Sequence, residues 1–245
     1  MENSVLAREL SVPGQNRTFE DKLNHDFKLI CQGRSSLYGL LSRLFEREMD
    51  IETLEHLVCA SKKESDGHAS QLLPGSFLKQ VEVKGLPNIL KELGVEYTGL
   101  FLGSNRSRQV FPYESVYTSD EHLLMQDSRD KVVALYYAEQ LDIKESFRLP
   151  EDHIACELAY MAHLNQLAAG AIKRDIVADS IAKQQNFLSQ HILVWVPAFC
   201  ADLSKATNSD FYSWIADLTR DFVESETETL LQLSTNLNEL SARPV

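Results

Sequence analysis

Glycine and proline are scarce in this chain, 10 and 7 in 245 residues, and few hairpin dipeptides separate alternating apolar runs. A sheet-rich fold needs both, so their shortage leaves helix as the expectation. Cysteine is scarcer still. Cys31, Cys59, Cys156 and Cys200 are scattered with no C-x-x-C pair, which argues against a zinc knuckle or a dithiol redox site and makes them reduced core residues. Positive charge is also short: 24 basic residues face 36 acidic ones, for a formal charge of -12. Such a field repels a phosphate backbone, so nucleic acid is not an expected ligand, and it attracts a cationic partner such as an arginine-bearing peptide. Solubility alone would account for it equally well. The longest apolar run, Ile192 to Ala201, is far too short to span a bilayer, and the N-terminus lacks a charged-then-apolar export signal. A cytoplasmic protein without stable membrane insertion is expected.

What is present is helical period. With 44% hydrophobic residues the chain can bury a substantial core. Residues up to about Glu20 show no sustained period and read as a mobile tail. Leu23, Phe27, Ile30, Leu37, Leu41 and Leu44 then keep a three-four spacing, broken only where Arg34 takes an apolar place. Gly33 and Gly39 within that helix suggest close helix approach or a bend. Asp50 is placed to cap a short helix through Cys59, and Ser61 to Ser76 reads as a mobile loop. A helix from Pro87 to about Gly103 points Ile89, Leu93, Tyr97, Leu100 and Phe101 inward. Ser119 or Asp120 caps a further helix to about Leu141, with Leu124 on its inner face. After Gly170, apolar spacing runs straight through Pro197, which predicts a kink near Leu193. The expected fold is therefore all-α, a single large helical domain of roughly eight to ten helices. A mobile tail over 1-20 precedes a domain over 21-245, whose subregions 21-141 and 150-245 join through a hinge at 142-149.

The chain is organised around the stretch that follows this hinge. Pro150 suits a first helical position, with Glu151 and Asp152 in the first turn near the positive end of the helix dipole. Ile154, Leu158 and Met161 form a buried stripe, and His153, Glu157 and Tyr160 a polar one beside it. Asp152 is read either as a helix cap with His153 partly solvated, or as a ligand contact. An acid-base role for Asp152 and His153 lacks a nucleophile elbow or H-E-x-x-H motif beside it, and His153 with Glu157 falls short of a metal's ligand count, so neither catalysis nor a metal is expected. Tyr97, Leu100 and Phe101 read most simply as core. Pro112, Tyr113, Ser115 and Tyr117 are either a packed loop or an exposed surface for a peptide, and the sequence leaves the two open. Arg106 and Arg108 read as solvated loop residues, and no phosphate-binding loop accompanies them.

Taken together, Tyr97-Thr-Gly-Leu-Phe101 with Gly103, Pro112-Tyr-Glu-Ser-Val-Tyr117, Pro150-Glu-Asp-His153, and Phe187-Leu-x-x-His191 followed by Trp195, Pro197 and Phe199 resemble the TorD/DmsD family in order and spacing. Leu149 stands where that family's pattern has a glutamate. The resemblance implies an all-helical cytoplasmic chaperone, not an enzyme. Its implied partners are the twin-arginine leader and the apo form of a molybdopterin oxidoreductase, whose export it delays until the cofactor is in place. It implies no resident cofactor, with weak GTP binding as a family-level expectation. It also implies a peptide-binding set of Tyr97, Leu100, Phe101, Pro112, Tyr113, Ser115, Tyr117, Asp152 and His153. On the charge and aromatic pattern, Asp152, with Glu151 or Glu114, is expected to face the arginines, while Tyr97, Tyr113 and Tyr117 line the apolar part. A monomer or a dimer formed by exchange at the hinge is expected. A helical scaffold without leader specificity is the alternative, and an enzyme using Asp152 and His153 a more distant one.

Overall fold

The repeat that begins at Leu23 becomes α1, Phe19–Glu46, in the computed structural model, which describes residues 19–62, 64–65, 68–69, 72–103, 108–141 and 149–242. The tail up to residue 18, Arg106, and all of the expected hinge except Leu149 lie outside the described residues. Tyr38, Leu41, Leu44 and Phe45 form the buried face of α1. Arg34, the break in its apolar repeat, is buried too, and its guanidinium grips both carboxylate oxygens of Glu226 on the last helix, α10, Asp210–Ala242. Space is open around both α1 glycines: a Cβ on Gly33 or Gly39 would meet nothing within 4 Å, so neither marks a close helix approach.

Asp50 caps α2, Ile51–Lys62, accepting from the Thr53 N–H at 2.7 Å as its position predicts. Beyond it, a two-residue antiparallel pair, β1 (Glu64–Ser65) with β2 (His68–Ala69), and then α3, Gly75–Lys84, occupy much of the stretch expected as a loop. Pro74-Gly75 starts a helix there instead of marking a turn, because Phe77 and Val81 have a core to enter. Gly85, at φ 77°, turns the chain into α4, Leu86–Tyr97. A π-turn, Thr98–Leu102, widens its end.

The helix expected from Ser119 to Leu141 is shortened to α6, Asp127–Ala138, and an unexpected short helix, α5, Glu114–Thr118, precedes it. Between them His122 and Met125 take left-handed backbone, φ 52° and 59°, which no helix can pass through, and Leu124 is exposed rather than inward. α7, Ile154–Gly170, starts after Pro150 rather than at it. α1 packs along one side of α7 and α8, Arg174–Phe187, along another, so the stripe expected to stay polar is buried, Glu157 and Tyr160 included. A second π-turn, Leu188–Ile192, leads to α9, Val196–Ala206, bent by 50° from the helix before Pro197 as expected. The described residues thus make an all-α fold of ten α-helices, two π-turns and one short strand pair. Among the described residues no single helix is long and apolar enough to cross a membrane. Three of the four cysteines are buried, but Cys59 is exposed, contrary to its core reading.

Candidate functional site

Four separated motif stretches meet around α5 and the start of α7. Residues 112–114 and 152–154 zip together as an antiparallel bridge: the Glu114 N–H donates to Asp152 O at 3.0 Å and the Ile154 N–H to Pro112 O at 2.9 Å. Pro112, which has no N–H, contributes only its carbonyl, so proline fits the register. The Tyr113 and His153 rings are then edge to face at 4.9 Å. The π-turn brings in Tyr97 and Phe101, 5.0 Å apart by ring centroid, and the Tyr97 hydroxyl donates to Phe45 O on α1.

These side chains wall a cavity of about 350 Å³. Tyr97, Phe101, Pro112, Tyr113 and His153 are its lining from the expected set, and Leu149, at the family's glutamate position, supplies another apolar wall. Glu46, Arg47 and Glu48 also line it, and sequence reasoning missed them. Their only sequence signal is a charge triplet directly after Phe45, where the apolar repeat of α1 stops. Glu46 is 3.7 Å from Arg47, and Glu48 accepts from the Thr98 hydroxyl at 2.9 Å. The cavity therefore has aromatic walls and a charged rim.

The remaining expected residues lie elsewhere. Leu100 is in the core, and its carbonyl accepts from the Val110 N–H. Tyr117 packs on Trp195 and Phe199, with ring centroids at 5.6 and 6.2 Å, and lines a separate groove of about 480 Å³ with Arg108, Phe111, His122 and Asp202. Ser115 is buried, and both its N–H and its hydroxyl donate to Asp152 Oδ2. Asp152 itself is fully enclosed and so unavailable to arginines from outside. It reaches the cavity only by holding Ser115, and with it the Tyr113–Tyr117 segment. Of the acids expected to act with it, Glu114 is buried, and the Glu151 carboxylate accepts from Arg129 at 2.6 Å.

Asp152 is not the helix cap either. His153 is, its Nδ1 accepting from the Ala155 N–H at 3.0 Å. Burial lowers the His153 pKa to about 3, so the ring is a neutral wall near pH 7. An acid-base couple between Asp152 and His153 is absent from the bonds of either side chain, because Asp152 turns to Ser115 and His153 to Ala155. Among the described residues no group of three or more His, Cys, Asp or Glu is placed to hold a metal ion.

Behind the cavity lies a buried polar set. His191 Nδ1 is 3.0 Å from Glu114 Oε2, and the Trp195 indole N–H donates to Glu157 Oε2 at 3.0 Å. The fourth motif stretch thus closes on the second and on α7. Glu157 has its pKa raised well above the usual carboxylate value, first by removal from water and then by the Glu114 charge.

An all-α protein whose separated motif stretches meet around one short helix, beside an aromatic cavity, is the class that fold and site define. The family described as nitrate reductase delta subunit matches residues 76–201. Chaperone protein TorD of Shewanella piezotolerans is 31% identical over 223 residues, which cover 84% of this chain and 96% of that relative. Chaperone protein TorD of Vibrio cholerae serotype O1 is 29% identical over 219 residues, covering 85% and 96%. A solved structure from Archaeoglobus fulgidus, described as a candidate redox enzyme maturation protein, covers 86% of this chain and 99% of its own at 19% identity and a TM-score of 0.43, too distant to argue from. The chain belongs to the TorD family of chaperones.

Proposed function

We propose that this chain is a system-specific chaperone that binds the twin-arginine leader and apo form of a molybdopterin oxidoreductase, assists cofactor insertion and delays export until maturation. The observation that carries the reading is the aromatic cavity with Glu46 and Glu48 on its rim. A leader of this kind presents adjacent guanidinium groups followed by apolar side chains. Carboxylates take guanidinium by paired, charge-assisted hydrogen bonds, and Tyr97, Phe101 and Tyr113 offer apolar area beside them. Here the arginines meet Glu46 and Glu48, an incoming guanidinium replacing Arg47 as the partner of Glu46, while Asp152 keeps the wall in place through Ser115. The net charge of -12 speeds the encounter at low salt.

Calorimetric titration of the full chain with a twin-arginine leader, its twin-lysine version and a scrambled control tests this. Binding should weaken with lysine, which cannot reproduce the guanidinium fork, and about tenfold in Glu46→Gln/Glu48→Gln. Tyr113→Ala should weaken all leaders alike. Equal heats from the scrambled peptide and a folded chain would leave a helical scaffold without leader specificity.

A further inference from the structure

The loop between α5 and α6 is an exposed feature that the leader cavity does not use. Leu123, Leu124 and Met125 follow one another on it, 52%, 43% and 60% exposed. Three successive exposed apolar residues would be unremarkable on a slack loop, but this one is held. His122 Nδ1 meets Val116 O at 2.7 Å, and the Gln126 N–H donates to Ser115 Oγ at 3.1 Å while its side-chain amide donates to Leu124 O. His122 and Met125 both sit in the left-handed region, which residues with a Cβ rarely adopt. Fixed, strained backbone that turns apolar side chains outward indicates a surface shaped for contact. His122 also lines the groove containing Tyr117 and half-exposed Phe111, so the apolar surface continues from the loop into that groove.

Arg108 and Lys205 in the groove pair with Glu96 and Asp202, so the unpaired charge of groove and loop is acidic. Asp120, Glu121 and Asp127 are exposed, and among the described residues none has an ion-pair partner. We propose that the loop 119–126, with Phe111, is a second docking surface for a polypeptide segment that is apolar and flanked by lysine or arginine. A second copy of this chain is a poor occupant, because a symmetric contact would set the same three acids against each other on molecules of charge -12. An anionic bilayer is repelled for the same reason. The proposal does not depend on leader binding, since no residue of the loop lines that cavity.

A labelled leucine–lysine amphipathic helix serves as probe, read by fluorescence anisotropy on the full chain, with a leucine–glutamate helix as its counterpart. Leu123→Ser/Leu124→Ser should weaken the leucine–lysine probe about tenfold, the consequence of losing two partly buried side chains at the contact. Met125→Gly should weaken it while leaving the thermal midpoint equal or higher, because glycine tolerates φ 59° without strain. Asp120→Asn/Glu121→Gln should flatten the salt dependence. Ile172→Ser/Ile176→Ser, at an exposed apolar site elsewhere, should bind as wild type. Equal loss in that control, or wild-type binding by the loop variants, overturns the proposal. So does a dimer by sedimentation that dissociates in Leu123→Ser/Leu124→Ser, which would assign the loop to a second copy.

Discussion

Glu157 carries a carboxyl into a position fully closed to solvent, beside Glu114 and under the indole of Trp195. Its folded pKa lies above its unfolded value, so above roughly pH 4.3 the folded chain binds more protons than the unfolded one. Stability from this group is therefore full at low pH and is lost as pH rises through the folded pKa. Glu157→Gln keeps an acceptor for the Trp195 N–H and cannot ionise. It should stabilise the chain by about 1–2 kcal/mol at pH 8 and by less at pH 5. Urea unfolding at the two pH values decides this, and an equal effect at both would show that Glu157 does not retain its proton. The sequence shows a glutamate beside an apolar stripe at this position, and on a helix edge such a residue normally reaches water. What it does not show is that α8, the Leu188–Ile192 turn and Trp195 close over that edge, because those contacts come from a distant part of the chain. Arg34 is the opposite case. A cation in an apolar place is visible as an anomaly in the repeat, although its partner is not.

Helices were legible where the apolar period was long. α1, α2, α4 and the bent passage from α8 into α9 lie where spacing, Asp50 and Pro197 put them. α3 and α5 escaped because each is short and signals through only two or three inward residues. The start of α7 was misplaced because proline before two acids imitates a first turn, whereas the bridge to residues 112–114 holds that segment extended until His153. The cap this creates gives a prediction for the element. His153 has a pKa of about 3 in the fold against roughly 6.5 unfolded, so between these values the unfolded chain binds the extra proton and stability falls as pH falls. His153→Asn retains a good capping acceptor without titrating there. Relative to wild type, it should remove an acid slope of up to about 1.4 kcal/mol per pH unit across that window. Chemical denaturation between pH 4 and 7 measures the slope, and an unchanged acid limb would place the titration elsewhere.

At the scale of the molecule, the pair between Arg34 and Glu226 joins the first described helix to the last. Both side chains are almost wholly buried, and the guanidinium lies alongside Tyr38, whose ring also meets Phe222 at 4.7 Å. Breaking such a pair from one side strands a charge in the interior. Arg34→Met should cost about 3–5 kcal/mol, and Arg34→Met/Glu226→Met should recover most of it, because two apolar side chains of similar bulk satisfy each other where one charge cannot. A double-mutant cycle by denaturation tests the coupling, and additive losses would mean that the two residues stabilise the fold separately.

That pair also orders events during synthesis. A growing chain delivers Arg34 192 residues before Glu226, and α7, which α1 packs against, arrives between them. Until α10 is made, α1 carries a guanidinium without its carboxylate, and that cation stays in water even where α1 has already settled along α7. The latch closes only once α10 is made, so a chain released before Glu226 leaves α1 unlatched at Arg34.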